Sequence, residues 1–232
     1  MILTIVIPCY NELNTIETLL NKVNEINFIS TQVIVIDDAS NDGTTAILDK
    51  LYTQKKLIDL LFINDKNIGK GACIKKGIQM ATGDLLIIQD ADLEYNPLEI
   101  FDLLEPIYNY NADVVYGSRF RGGKAGRVLY FWHSLGNKFL TLISNILTDL
   151  NLTDMETCYK LFKIDIIKNI HIEENRFGFE PEITAKLSKL PLKIYEVGIS
   201  YNGRKYIEGK KINWRDGFRA LYCIFKYNIF RK

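Results

Sequence analysis

Leu85-Leu86-Ile87-Ile88-Gln89-Asp90-Ala91-Asp92-Leu93-Glu94 is the stretch from which the fold can be read. Four aliphatic residues in a row, entered from Gly83, describe a buried strand. Directly beyond it two carboxylates stand one residue apart, with a third at Glu94. Open α/β sheets bind ligands at the carboxyl ends of their strands. A solvated turn places no demand on this spacing, whereas a divalent cation carrying phosphates does. Hard carboxylate oxygens suit Mg²⁺ or Mn²⁺, which take one or two protein carboxylates and fill their other positions from substrate phosphates. Taken alone, the pair also reads as an acidic turn that ends the strand.

Outward from this strand, apolar runs at Ile2 to Ile7, Val33 to Ile36, Leu57 to Ile63 and Asp113 to Tyr116 alternate with helical periods at Thr15 to Val23 and Thr44 to Leu51. Such alternation means βαβ units and a mostly parallel sheet flanked by helices. The rhythm breaks after Gly117. A glycine-rich basic loop, Ser118 to Gly126, precedes a helix over Val128 to Leu147, a short strand near Tyr159 to Phe162 and a helix over Glu182 to Leu190. An extended stretch, Lys193 to Ser200, and an amphipathic helix, Asn213 to Phe230, complete the chain. With no repeat and no low-complexity linker, one domain over 1–232 is expected, its rhythm dividing it into 1–117 and a C-terminal elaboration over 118–232.

Composition narrows the class. At 232 residues, with 47% hydrophobic and 25% charged residues, the chain has the make-up of a soluble globular protein. Met1 to Pro8 has no basic leader, and no apolar run approaches the roughly 18 residues of a spanning helix. Four scattered cysteines without a CxxC fit reduced thiols in the cytoplasm, and His133 and His171 are too far apart for a zinc pair. The net charge of +1 hides nine Lys or Arg against two acids from Gly203 onward. That basic tail points to phosphate or a membrane surface as partner, with no expectation of nucleic acid.

The turn after the first strand has no glycine, which excludes the dinucleotide fingerprint, and GxxxxGK[ST] occurs nowhere. What remains is a set of acidic strand ends: Glu12 after the first, Asp37 and Asp38 after the second, Asp90 and Asp92 after the fourth. Singly, each also reads as a solvated acid or a helix cap. On one sheet edge they would repel unless a cation or hydrogen-bond donors lay between them.

The segments VIPCYNE (6–12), VIVIDDASNDGT (33–44), NIGKG (67–71), GDLLIIQDADLEYNP (83–97), GSRF (117–120) and GRKYIEGKK (203–211) occur in this order. Together they resemble the inverting nucleotide-sugar glycosyltransferases with a GT-A fold, and among them the dolichyl- or polyprenyl-phosphate sugar synthases. The resemblance implies a UDP- or GDP-sugar donor, a polyprenyl phosphate acceptor and Mg²⁺ or Mn²⁺. By position, Pro8, Tyr10, Glu12, Asp37 and Asp38 would form the nucleoside pocket, while Lys70, Arg204 and Lys210 would lie near the diphosphate. Asp90, Ala91 and Asp92 would be the Asp-x-Asp, with Asp92 the most direct metal ligand. Glu94, where related synthases often have glutamine, would add a ligand or contact the sugar.

Arg119 and Arg204 are the arginines that the resemblance places on acceptor phosphate and donor diphosphate, a task suited to bidentate guanidinium. Arg121 and Lys124 read as a solvated basic loop. A phosphate acceptor needs cations but no base; a saccharide hydroxyl would need a carboxylate, for which Asp154 and Glu156 are the candidates. A nucleotidyltransferase is the remaining alternative, though the glycine-rich N-terminal loop that grips a triphosphate is missing. The basic amphipathic C-terminal helix makes peripheral attachment to a membrane an expectation.

Overall fold

Ile2–Cys9 forms β1, and its composition explains its central place: Leu3, Ile5, Val6 and Ile7 are completely buried. A strand apolar on both faces needs helices on either side of the sheet. The chain supplies α1 (Ile16–Asn24), β2 (Ser30–Asp37), α2 (Thr44–Lys50), β3 (Leu60–Ile63), α3 (Lys70–Met80), β4 (Leu85–Ile88), α4 (Ile100–Tyr110) and β5 (Val114–Ser118). Next come α5 (Phe131–Thr148), β6 (Lys160–Lys163), α6 (Ile164–Asn169), α7 (Phe179–Leu187), β7 (Ile194–Gly198) and α8 (Trp214–Phe225), which continues as a π-helical turn, Lys226–Phe230. The computed structural model describes residues 1–55, 57–128, 130–204 and 214–230.

Among the described residues, seven strands lie in the order β3-β2-β1-β4-β6-β5-β7. All run parallel except β6, which is antiparallel to both β4 and β5. From β1 the chain builds outward through β2 and β3, then returns to place β4 on the other flank of β1. The carboxyl ends of β1 and β4 therefore border the switch point, where such sheets leave a crevice. Both strands end in acids, at Glu12 and at Asp90.

Helix α4 is absent from the sequence reading because Pro106 sits inside it. Proline removes a backbone donor and ordinarily ends a helix. Here Asn96 opens the segment by accepting from the Leu98 N–H, and Asn111 closes it at φ 53°. Helices α7 and α8 pack against one another, and α8 also packs on α5. Glu174 secures this arrangement by accepting from Arg219, Lys226 (2.9 Å) and Tyr227 (2.9 Å).

Helix α3 lies directly on β1 and β2. A Cβ on Gly77 would fall 2.3 Å from Val6 Cγ1 and 3.2 Å from Ile36 Cδ1. Overpacking of this kind costs about 1–3 kcal/mol. Gly77→Val should therefore lower the urea midpoint of unfolding, and an unchanged midpoint would show that β1 can give way.

Candidate active site

The ends of β1, β2 and β4 open on one cavity of about 850 Å³. Pro8, Tyr10 and Glu12 line it from β1, Asp38 from β2, and Asp90, Ala91, Asp92 and Glu94 from β4. Hydrogen bonds stitch the first two turns together. Asn11, at φ 51°, donates its N–H to Ser40 Oγ (2.9 Å), and the Glu12 N–H donates to Thr44 Oγ1 (3.0 Å). Asp37 supports these turns from behind: it is fully buried and accepts from the Ser40 N–H (3.2 Å) and the Ser40 and Thr45 hydroxyls. It is not among the residues lining the cavity; it anchors the loop that carries Asp38 to it.

Asp38 lines the cavity while its oxygens accept from Asn64 Nδ2 (2.9 Å), the Ile68 N–H (2.9 Å) and the Gly69 N–H (2.8 Å). That fixes the loop from which α3 begins. A Cβ on Gly71 would lie 2.3 Å from the Glu174 carbonyl, so the start of α3 is pressed against the segment leading to α7. Lys70 is consequently held between Asp90 (2.9 Å) and Glu180 (3.3 Å). Burial opposes its charge, but Asp90, Cys158 and Glu180 outweigh burial and hold its pKa well above that of an ordinary lysine.

Asp92 shows the opposite imbalance. Burial first, then the charges of Asp90 and Glu94, push its carboxyl up to about 7 against the pull of Arg204. Arg204 grips Glu12 with two contacts of 3.1 Å and reaches Asp92 at 3.1 Å. Glu94 instead accepts the Arg204 backbone N–H (2.7 Å) and the Tyr201 hydroxyl. Among the described residues no three His, Cys, Asp or Glu side chains form a metal-holding group. The expected trio is thus not assembled as a cage, since Asp90 turns to Lys70 and Glu94 to the 201–204 segment. The donor set still fits a hard divalent ion: Asp92 offers oxygen in a crevice short of positive charge, and Mg²⁺ or Mn²⁺ needs only one or two such carboxylates beside phosphates. Lys205, Lys210 and Lys211 lie outside the described residues.

On the other side, Arg119 is closed on Asp154 by Nε–Oδ2 and Nη2–Oδ1 contacts, both 2.7 Å, with Asp154 fully buried. Asp154 is thus fully engaged and no open base, while Arg119, which also lines the cavity, commits two of its five N–H donors to it. Two residues on, Glu156 lines the cavity with a buried Oε1 that has no hydrogen-bond partner among the described residues. Burial first, then the charge of Glu180, hold its carboxyl up at about 8. Fully buried Lys160 donates to the carbonyls of Met155 (3.0 Å) and Thr157, fixing the turn that presents Glu156. Arg121 pairs with Glu196, and Lys124 with Glu99 and Asp102, away from the cavity wall.

Tyr130, Trp132, His133 and Gly136 around α5, Arg176 and Phe177 before α7, and Gly217 and Ala220 on α8 also line the cavity. Sequence reading singled out none of these as site residues, nor Glu180. No local motif marks Glu180; only the packing of the 174–176 segment on Gly69 and Gly71 carries α7 to Lys70.

Residues 4–170 match the family model for glycosyl transferase family 2. The chain is 31% identical to an undecaprenyl-phosphate mannosyltransferase of Micrococcus luteus, over 88% of this chain and 85% of that protein. It is 26% identical to a dolichol-phosphate mannosyltransferase of Pyrococcus furiosus, over 98% of this chain and 64% of that one. Among solved structures, glucosyl-3-phosphoglycerate synthase from Mycobacterium tuberculosis, in complex with Mn²⁺, UDP and phosphoglyceric acid, superposes with a TM-score of 0.75. That match covers 98% of this chain and 78% of the other at 14% identity, a likeness of fold. The same enzyme with Mn²⁺ and UDP-glucose also gives 0.75.

These structures correct the narrower resemblance. The fold extends over nearly the whole chain to an enzyme whose complexes hold phosphoglyceric acid, so the expected identification as a polyprenyl-phosphate sugar synthase, with lipid phosphate as acceptor, is not retained. The family match likewise sets aside the nucleotidyltransferase alternative. What stands is the α/β GT-A architecture with its mostly parallel sheet: the chain is a glycosyltransferase belonging to glycosyl transferase family 2.

Proposed function

We propose that the protein transfers a sugar from a UDP-sugar to a hydroxyl group of its acceptor, with Mg²⁺ or Mn²⁺ held at Asp92. Glu156 carries this reading. It lines the cavity, keeps one oxygen without a partner and has a carboxyl held at about 8, properties suited to a general base near neutral pH. Arg119, the cation expected to meet an acceptor phosphate, spends its Nε and one Nη donor on Asp154. The UDP donor and the metal are supported by the M. tuberculosis synthase, whose complexes hold UDP-glucose and Mn²⁺.

In this account residues 1–117 supply most of the donor half and 118–232 the acceptor half. Pro8, Tyr10, Glu12 and Asp38 enclose the nucleoside, while Lys70 and Arg204 bring positive charge to the diphosphate. A divalent cation, when bound, stabilises the negative charge that grows on departing UDP. Glu156 accepts the hydroxyl proton as the new C–O bond forms on the face opposite UDP, which inverts the anomeric centre. UDP leaves as the bond to its phosphate oxygen breaks.

We also propose peripheral placement on a membrane face. No helix among the described residues is long and apolar enough to cross a membrane. Support comes from exposed Phe131, Leu135, Phe139, Leu142 and Ile146 along α5, and Phe218 and Tyr222 on α8. Amphipathic helices bury faces of this kind in the interfacial layer. Anionic vesicles should co-sediment the protein, and Phe139→Glu with Ile146→Glu should release it; equal sedimentation of both forms would refute the placement.

For the chemistry, UDP release from UDP-glucose and a hydroxyl acceptor should rise with pH through about 8, as Glu156 loses its proton. Glu156→Gln should remove that rise and lower kcat by about 10²–10⁴. A flat profile in the parent protein, or full activity in the variant, would show that Glu156 is not the base.

A further inference from the structure

The backbone of residues 174–176 lies directly against the start of α3. A Cβ on Gly69 would fall 2.4 Å from the Asn175 carbonyl oxygen, and one on Gly71 would fall 2.3 Å from that of Glu174. The first N–H groups of a helix have no partner within it. In α3 that of Ala72 is met by the Asn175 carbonyl, 3.1 Å away. Lys70 stands between the two glycines, so the segment that presses on them also sets where its ammonium can reach. The same segment brings Arg176 to the cavity.

The segment is in turn fixed by a residue that does not line the cavity, Glu174. Its buried carboxylate accepts from Arg219 on α8 and from Lys226 (2.9 Å) and Tyr227 (2.9 Å) on the π-helical turn that follows. Its backbone N–H donates to Glu182 on α7 (2.8 Å), as does that of Glu173 (2.7 Å). There is little slack around it: a Cβ on Gly178 would lie 2.7 Å from Cys223 Sγ and 2.9 Å from Glu174 Cγ. Burial opposes the charge of Glu174, but hydrogen bonds from Arg219, Lys226 and Tyr227 outweigh burial and hold its carboxyl down at about 2. Removing one partner from a buried ionic cluster leaves the others uncompensated.

We propose that Glu174 is a positioning residue for the donor site: its carboxylate ties α8 to the 174–176 segment, whose carbonyls hold the first turn of α3 and with it Lys70. This rests on the reading that Lys70 serves the diphosphate, and extends it to a residue outside the cavity. Donor affinity then depends on how α8 is docked, because side chains that hold a charged ligand must themselves be held by their surroundings.

The test compares calorimetric UDP affinity in Mn²⁺ with amide hydrogen exchange at residues 70–73, on the full chain. Glu174→Gln keeps the volume of the side chain and removes its charge. It should weaken UDP binding about 5–150-fold, the usual range of coupling between distant sites, and speed exchange at 70–73. Lys226→Met removes one partner from the other side and serves if the first variant does not fold. Its effect should go in the same direction, and the two together should cost less than the product of their separate effects. Lys189→Met is the control for loosening of α8 in general, since Lys189 donates to the Tyr227 carbonyl (2.7 Å) and not to Glu174. That variant should keep parent values in both measurements. Parent UDP affinity in folded Glu174→Gln or Lys226→Met would overturn the positioning role, as would an equal loss in Lys189→Met. Lys70→Met separates the two claims. Parent affinity there would bring down the assignment of Lys70 to the diphosphate, whereas a loss there with none in Glu174→Gln would bring down the role of Glu174 alone.

Discussion

Four carboxylates, Glu12, Asp90, Asp92 and Glu94, share the crevice between the ends of β1 and β4, where burial strips away the water that would screen them. Burial, then the charges of Asp90 and Glu94, raise the pKa of Asp92, and the surrounding structure is arranged to contain that strain. Lys70 is driven against Asp90 by the packing of α3 on the 174–176 segment. Arg204 is carried in from the far end of the chain, its segment held by an Arg127 contact to the Gly203 carbonyl (2.9 Å). Buried like charges persist only when cations or hydrogen bonds offset them. Here the compensation is partial, which leaves a place for a metal and the diphosphate it would carry.

The acceptor side follows a different electrostatic logic. Arg119 and Asp154 are held together by two contacts of 2.7 Å, so the charge of the motif arginine after β5 is offset by a buried carboxylate even as it lines the cavity. Glu156 is left as the group whose charge is unbalanced, with Lys160 beneath it occupied by backbone carbonyls. Two carboxylates two residues apart thus differ in role because one meets a guanidinium and the other does not.

Much of the donor side was legible in the sequence because it is made of strand ends. A buried run such as Leu85 to Ile88 fixes both the strand and the direction in which Asp90 emerges, and parallel order then gathers Glu12 and Asp38 beside it. Helix α4 was hidden by Pro106. The fates of Asp37, Glu94 and Arg119 were hidden for another reason: each is decided by a partner distant in sequence or by a loop hydrogen bond. Spacing identifies a carboxylate but not whether its oxygens are already engaged. Glu180, Trp132 and Gly136 depend on how α5, α7 and α8 dock, which no local pattern encodes. The lipid-phosphate acceptor was read from motif resemblance, and those motifs lie largely on the donor side, which does not select the acceptor.

Calorimetric titration of UDP into the protein with Mn²⁺, with EDTA, and with Mn²⁺ in Asp92→Ala tests the central claim, that the acids at the β1–β4 switch bind nucleotide through a metal. UDP should bind at least about tenfold more tightly with Mn²⁺, equivalent to about 1.4 kcal/mol. Asp92→Ala should lose that gain while keeping its circular dichroism spectrum. Equal UDP affinity in Mn²⁺ and EDTA, or an undiminished Mn²⁺ effect in folded Asp92→Ala, would contradict the account.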